Sequence, residues 1–169
     1  MTEDADAEAE WSPEELETWS SVATMLVWLP AALDAQLQRD AGLSHFEFGI
    51  LFALDQADER TLTMSALAGF SNSSLSRLSR AVARLEKGDL IRRRIDAADG
   101  RVTLAGLTEK GQQAVRRAQP GHIALVRQLV FDTLTKAQAH QFGVIAQRID
   151  GAIEAEGMWK PAKRVQRRG

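Results

Sequence analysis

Six stretches of this chain carry apolar residues at helical spacing, and polar turns separate them. In the fourth stretch Leu75, Leu78, Val82 and Leu85 follow one another at intervals of three, four and three residues, which is typical of one apolar helix face. A short extended piece precedes the third stretch. LIRRRI and RVTLAGL, joined by DAADG, predict two strands around a tight turn. The pattern predicts a mainly α fold with the element order α-α-β-α-α-β-β-α-α.

Two helix starts carry complete capping signals. Ser12 is followed three residues later by Glu15, and Ser44 by Glu47, so that each pair predicts a capping box. These signals place the beginnings of the first and second helices.

Other boundaries are less regular. Ser71 or Asn72 is predicted to cap the fourth helix. Pro30 lies inside the first helical stretch and Pro120 inside the fifth, and a proline lacks the N–H of the helix ladder. We therefore expect a kink or break at each proline.

The fourth helix has a polar face opposite its leucines. Wound at about 100° per residue, residues 71–88 collect small hydroxyls at the N-terminal end of this face and cations along the rest: Ser73, Ser76, Arg77, Arg80, Arg84 and Lys87. Short side chains let backbone N–H groups approach a phosphate, and arginine pairs with guanine or phosphate. The sequence predicts that this face has no acidic partner and binds DNA.

Charge is unevenly distributed, although the formal net charge is only -2. Residues 60–117 hold twelve Lys or Arg and five Asp or Glu, an excess of seven positive charges. The first seventeen residues hold eight acids and no base, and residues 160–169 hold five bases and no acid. The basic middle indicates a polyanion partner, while residues 1–11 and 157–169 are predicted to be an acidic disordered tail and a basic tail.

The neighbouring segments strengthen a DNA-binding interpretation. LTMSALAGF supplies a short helix before the cationic one, as a helix-turn-helix requires. The hairpin that follows carries Arg92, Arg93, Arg94 and Arg101 around its turn, as a wing that reaches the DNA backbone or minor groove would need. On this turn Asp96 and Asp99 are expected to bind the loop backbone.

Several function classes are excluded or disfavoured. The chain has no cysteine, which excludes thiol catalysis, thiol redox sensing and cysteine-based zinc sites. His45, His122 and His140 lack ligand spacing, so that no metal site is expected. The sequence contains no nucleophile elbow and no glycine-rich phosphate loop, so that neither an enzyme nor a cofactor is expected. No apolar run is long enough for a membrane span and no secretory signal is recognisable, so a cytoplasmic protein without membrane contact is expected.

Residues 62–111 resemble the winged helix-turn-helix of the MarR family of bacterial transcriptional regulators. The resemblance rests on Met64-Ser65-x-Leu67-Ala68, Arg84-Leu85-Glu86-Lys87, Arg93-Arg94, Asp99-Gly100-Arg101 and Leu107-Thr108-Glu109-Lys110-Gly111. GLSHFEFGIL is similar to the second helix of the family, and the likeness extends from about Trp19 to Ile153. Two departures are Gly88-Asp89, where a basic residue followed by glycine is commoner, and Gly100, where a basic residue is common.

The resemblance implies a homodimer that binds a pseudo-palindrome in double-stranded DNA. The dimerisation helices would be residues 12–40 and 108–156, with Phe142, Ile145, Ile149 and Ile153 inward, and residues 41–107 would form the winged domain. The candidate DNA-binding residues, in helix 72–87 and wing 91–107, are Ser73, Ser74, Ser76, Arg77, Arg80, Arg84, Arg94, Asp99 and Arg101.

Family members are typically repressors released by small aromatic or anionic ligands. The candidate pocket residues are amphipathic side chains on the helices that would meet there: Trp19, Trp28, His45, Phe48 and His122. A helical dimer that only binds other proteins is the competing interpretation, but such a module has no reason to keep the cationic face free of acids.

Overall fold

The computed structural model describes residues 10–157. Within them the elements follow the predicted order: α1 (Pro13–Ala41), α2 (His45–Asp55), β1 (Thr61–Thr63), α3 (Met64–Phe70), α4 (Leu75–Lys87), β2 (Ile91–Ile95), β3 (Thr103–Leu107), α5 (Glu109–Val126) and α6 (Lys136–Ala155). The fold is the mainly α winged helix that the sequence predicts. The predicted tails lie almost entirely in residues 1–9 and 158–169, outside the described residues.

The chain divides into two compact units, Met1–Ala32 and Leu33–Gly169. In its described part the first unit consists mainly of the N-terminal portion of α1, whose apolar side chains, Leu16, Trp19, Leu26 and Trp28 among them, are exposed. The second unit holds the remaining elements and the hydrophobic core. No helix among residues 10–157 is long and apolar enough to cross a membrane.

Both predicted capping boxes are present. Ser12 and Glu15 exchange hydrogen bonds between side chain and backbone, and Ser44 and Glu47 do the same. The prediction of a break at Pro30 is wrong, because α1 runs unbroken from Pro13 to Ala41. Pro30 is exposed, so that the carbonyl that loses its helical partner stays accessible to water.

The helix around Pro120 is also unbroken. α5 continues through Pro120 to Val126, and the irregularity follows as one π-helical turn at Arg127–Phe131. Pro120 is exposed, as Pro30 is, which again leaves the unpaired carbonyl side of the helix open to solvent.

A three-stranded antiparallel sheet links the helix-turn-helix to the hairpin. β3 lies in the centre, with β2 on one side and β1 on the other. β2 and β3 form the predicted hairpin, with Ile91 opposite Leu107 and Ile95 opposite Thr103. The sequence did not predict that β1 pairs with β3, where Leu62 lies opposite Ala105. This pairing attaches the wing to the start of α3.

The apolar face of α4 is buried as predicted, with one exception. Leu78, Val82 and Leu85 are 0%, 0% and 3% exposed. Leu75, expected to face the core, is 55% exposed. It is the first residue of a helix that begins later than predicted, and it lines a cavity of about 360 Å³ together with residues of α3 and the wing.

The cap of α4 differs from the prediction. Ser71 is the C-cap of α3, and its hydroxyl donates a hydrogen bond to the backbone carbonyl of Leu67. Asn72 forms the turn with a positive φ of 48°. Ser74 is the N-cap, and its Oγ accepts the backbone N–H of Arg77 at 3.3 Å. The first two candidates are unavailable because the preceding helix and its turn already use them.

The apolar residues of α6 are not buried within one chain. Phe142, Ile145, Ile149 and Ile153, expected inward, are 42%, 53%, 53% and 37% exposed, and no residue of α6 is buried. Their regular spacing therefore reflects a face that the described residues of this chain do not cover.

One glycine is required by a close approach of two segments. A Cβ on Gly111 would lie 2.2 Å from the carbonyl oxygen of Leu90, far inside contact distance. The first turn of α5 packs directly on the chain leaving α4, which explains glycine at the end of Leu107-Thr108-Glu109-Lys110-Gly111.

α4 ends in a Schellman motif with an unusual residue in it. The N–H of Leu90 bonds to the carbonyl of Leu85, and that of Asp89 bonds to Glu86. Asp89 has a φ of 58°, the left-handed conformation that glycine prefers, whereas Gly88 has an ordinary φ of -78°. The sequence departure at Gly88-Asp89 therefore leaves the helix end in place at Lys87 and transfers the strain to Asp89.

Asp89→Gly should raise the free energy of unfolding by about 0.5–1 kcal/mol, because glycine adopts this φ without a Cβ clash. The substitution also removes a negative charge from a helix C-terminus. The lost exposed contact with Arg92, at 3.5 Å, contributes little. Chemical denaturation at equal protein concentration measures the change. Asp89→Ala, which keeps the Cβ, is the control, and a glycine variant no more stable than the alanine variant would contradict the explanation.

Candidate nucleic-acid interface

Hydroxyl side chains surround the N-terminus of α4. Ser74 caps the helix, and its Oγ lies 3.1 Å from that of Ser76. Ser74 and Ser76 are exposed, and Ser73 is half-buried. The first-turn N–H groups of a helix lack backbone partners and carry a partial positive charge. This end of α4 can therefore bind an anion without steric hindrance from large side chains.

The cations of α4 line its exposed face, but their environments differ. Arg80 is exposed and has no ion-pair partner among residues 10–157. The guanidinium carbon of Arg77 lies 4.3 Å from the ring centre of Phe46, a cation–π contact. Nε of Arg84 lies 3.0 Å from Oε1 of Glu47. The prediction that no acid meets this face is therefore wrong for Arg84, whose partner comes from α2.

Glu47 has two tasks in this contact. Its other carboxylate oxygen accepts the N–H of Ser44 at 3.0 Å and the hydroxyl of Ser44 at 2.8 Å. Partial burial acts to raise the pKa of Glu47, but the hydrogen bonds from Ser44 and Arg84 outweigh it and hold that pKa below its usual value. The carboxylate is therefore ionised and fixed at neutral pH.

The four wing arginines divide into two pairs. Arg93 is bound to Glu86 through its side chain, at 2.6 Å and 2.8 Å, and through its backbone N–H at 2.9 Å. These bonds lower the pKa of the Glu86 carboxyl. Arg92 lies 3.5 Å from Asp89. Arg94 and Arg101 are exposed, with no ion-pair partner in the part of the chain that the structure describes.

The wing turn is closed by its own aspartates, as expected. Asp99 accepts the backbone N–H of Arg101 at 3.0 Å, and its carbonyl accepts that of Val102. Asp96 accepts the N–H of Ala98 at 2.9 Å. Asp99 thus fixes the backbone at Arg101, the cation at the end of this turn.

Three of the five candidate pocket residues come together in the second unit. The ring centres of His45 and His122 are 5.5 Å apart, and those of Phe48 and His122 are 4.9 Å apart. Phe48 is only 4% exposed and also belongs to the core. Trp19 and Trp28 lie in the first unit, where both are exposed and Trp19 stacks on Trp11.

Several polar groups of α1 and α5 near this cluster were not predicted from the sequence. Oδ1 of Asp34 accepts the backbone N–H of His45 at 2.8 Å. Gln36 is buried and donates to Asp40 at 2.6 Å, while its Oε1 has no hydrogen-bond partner among residues 10–157. Within the same residues Nδ1 of His122 is also buried without a partner. In the sequence, Gln36 is distinguished only as a polar residue next to Leu37 in the apolar stretch of the first helix.

Burial lowers the pKa of both histidines. For His45 desolvation is the larger effect, and the nearby carboxylate of Asp34 opposes it. For His122 desolvation acts together with repulsion from His45. Both imidazoles are therefore neutral at neutral pH. Among residues 10–157 no group of three His, Cys, Asp or Glu side chains is arranged to hold a metal ion.

Two further residues of this surface were also missed. Glu47 forms the capping box that the sequence predicts and in addition contacts Arg84 of α4. Phe46 packs against the core and in addition contacts Arg77 of α4. Contacts between residues so far apart along the chain leave no periodic signal in the sequence.

Comparison with known proteins places these features in a family. The sequence profile of the MarR family matches residues 41–102. YxaD of Bacillus subtilis (strain 168), an uncharacterised HTH-type transcriptional regulator, is 30% identical over 121 residues, which cover 72% of this chain and 82% of YxaD.

Solved structures agree in fold. Sco3205 of Streptomyces coelicolor, a MarR family transcriptional regulator crystallised in complex with DNA, superposes with a TM-score of 0.84 at 40% identity, covering 85% of this chain and 90% of that one. AbsC, a MarR family regulator of the same organism, superposes with a TM-score of 0.83 at 28% identity, covering 86% and 98%.

The histidine pair predicts a loss of stability in acid. The folded chain holds the pKa of His45 and His122 below the ordinary 6.5, so that below this pH the unfolded chain binds more protons. Their contribution is therefore complete above a pH of about 6.5 and is lost as the pH falls below it. The denaturant concentration at the unfolding midpoint should therefore decrease when the pH is lowered from about 7.5 to about 5.

The variant with both His45→Gln and His122→Gln should lose less stability over the same pH range than the unsubstituted chain. His140→Gln, which changes an exposed histidine of α6, is the matched control and should behave like the unsubstituted chain. Equal losses in the double variant and the unsubstituted chain would refute the assignment.

Proposed function

Because the chain belongs to the MarR family of transcriptional regulators, we propose that it binds double-stranded DNA through α4 and the wing. The observation that carries the proposal is the exposed cationic face of α4, on which Arg80 has no ion-pair partner among the described residues. Arginine in the major groove pairs with guanine through two hydrogen bonds. The DNA complex of Sco3205 supports the same use of the shared fold.

We assign three kinds of contact to this surface. Ser73, Ser74 and Ser76 lie where a phosphate would meet the helix N-terminus. Arg77, Arg80 and Arg84 face the major groove and its phosphates. Arg94 and Arg101 extend to the backbone and minor groove, and Asp99 supports Arg101.

We propose that the functional form is a homodimer on a pseudo-palindromic site. α6 exposes apolar side chains along its length, Ile145 and Ile149 at 53% each, and none of its residues is buried by the part of the chain that the structure describes. Exposed apolar faces of this size mark interaction surfaces, and residues 12–40 and 108–156 are the expected dimerisation helices.

We further propose that the protein is a repressor released by a small aromatic or anionic ligand near His45, Phe48 and His122. The buried Nδ1 of His122, which has no hydrogen-bond partner among the described residues, is a polar group that such a ligand would satisfy. Trp19 and Trp28 remain candidates from the first unit.

Arg80→Ala and Arg101→Ala should each weaken binding by about 1–3 kcal/mol, roughly 5- to 150-fold in affinity. The measurement uses the duplex enriched from genomic fragments by the purified protein, at fixed salt, because phosphate contacts make affinity salt-dependent. Arg116→Ala, an exposed arginine of α5, is the control. Unchanged affinity in both variants, each still a folded dimer, would show that the assigned surface is wrong, whereas a protein that enriches no duplex would favour the protein-interaction module.

The homodimer should be disrupted by Ile149→Glu, because the substitution buries a carboxylate in an apolar interface. Sedimentation equilibrium at micromolar protein should give a dimer for the unsubstituted chain and a monomer, or a much weaker dimer, for the variant. Gln147→Glu adds the same charge at an exposed polar position of α6 and should leave the dimer intact. A stable folded monomer of the unsubstituted chain would refute the proposal.

A further inference from the structure

The first turn of α2 contacts the DNA-facing side of α4 through two consecutive residues. Phe46 contacts Arg77, and Glu47 contacts Arg84. We infer that Phe46 and Glu47 are positioning residues for DNA recognition: they hold two arginines of α4 in the orientation in which these meet the duplex. The inference rests on the proposed function, since it concerns how α4 reads DNA.

Glu47 is built as a fixed anchor. Oε2 is held by the backbone and hydroxyl of Ser44, which leaves Oε1 for Nε of Arg84. The Glu47 side chain is 13% exposed, whereas that of Arg84 is 64% exposed. The contact therefore restrains the guanidinium of Arg84 at its Nε atom. Its terminal nitrogens, which have no hydrogen-bond partner within the described chain, remain available for a phosphate or a base.

Phe46 restrains Arg77 by a different force. A guanidinium is attracted to a ring face by electrostatics and dispersion, so the contact uses none of its N–H groups as hydrogen-bond donors. With the guanidinium carbon 4.3 Å from the ring centre, Arg77 is held while its donors stay free.

The restraint matters because a free arginine side chain loses considerable rotamer entropy when it binds. Arg77 and Arg84 lose part of this freedom already in the folded protein, and Arg80, one turn after Arg77, does not. Preorganisation lowers the entropic penalty of a correctly placed contact and does not help a misplaced one. Phe46 and Glu47 should therefore act on sequence preference more than on general attraction to DNA.

Charge makes the effect of Glu47 distinguishable. Removing its carboxylate makes the surface more positive, which by itself strengthens attraction to any duplex. If Glu47 positions Arg84, the same substitution must weaken binding to the preferred sequence relative to binding of an unrelated duplex. A purely electrostatic role predicts that both affinities change in the same direction and by the same factor.

The test uses a duplex selected from a random-sequence library by the unsubstituted protein and a scrambled duplex of equal length and composition. Glu47→Gln keeps the capping box, since glutamine also serves at that position. We expect it to lower the ratio of selected to scrambled affinity about three- to tenfold. Glu59→Gln removes an equal charge that has no arginine partner among the described residues, and it should leave the ratio unchanged.

Phe46→Leu should lower the same ratio about two- to fivefold, and Phe46→Tyr, which keeps the ring face, should preserve it. Phe52→Leu is the control on the same helix, because the Phe52 ring contacts Phe48 and no arginine among the described residues. Circular dichroism and sedimentation verify that each variant is a folded dimer.

The decisive measurement is a double-mutant cycle. In the Arg84→Ala background, Glu47→Gln should have no further effect on the ratio, because its partner is already absent. The inference is overturned if Glu47→Gln behaves like Glu59→Gln, if its effect persists in the Arg84→Ala background, or if Phe46→Tyr fails as Phe46→Leu does. Failure of the proposed function looks different: the unsubstituted protein would enrich no sequence and Arg80→Ala would change nothing, which overturns both.

Discussion

Leu78, Val82 and Leu85 are almost completely buried in the core that α2 and α5 also line, and this burial determines how α4 is rotated about its own axis. Each such side chain contributes about 1.5–3 kcal/mol when it leaves water. A rotation by one residue, about 100°, would expose part of this stripe and turn a cation inward. The serines and arginines on the opposite face therefore hold their places because three hydrophobic residues hold theirs.

Much of this arrangement could be predicted from the sequence because it depends on local chemistry. The spacing of the α4 leucines and the two Ser–Glu capping boxes depend on residues a few positions apart. Both capping boxes were correct, and so was the apolar face of α4 except at Leu75. The predicted start of α4 was wrong, because five serines lie within residues 71–79 and any of them can cap a helix in isolation. Ser74 is selected by where α3 ends, which is a property of the turn between two helices.

The cationic face of α4 was predicted from the sequence, but its contacts with other elements were not. Its cationic residues follow from helical periodicity, whereas Glu47 and Arg84 are 37 residues apart and meet only through tertiary packing. The same holds for Arg93, which the sequence offered as a wing cation and which is engaged by Glu86. For α6 the sequence predicts the apolar face but not what covers it, because the spacing of apolar residues is the same whether the same chain or a second one packs against them.

The contact between Glu86 and Arg93 joins the last turn of α4 to β2 by three hydrogen bonds, one of them from the backbone. The bond from the backbone N–H ends on the same Glu86 carboxylate as the side-chain bonds, so that one carboxylate holds both the main chain and the guanidinium of Arg93. These three bonds restrain the start of the wing against the last turn of α4. On DNA bound as proposed, this restraint would limit how far the wing can move relative to α4. The distance along the duplex between the groove under α4 and the groove that the wing reaches would then be set partly by the protein.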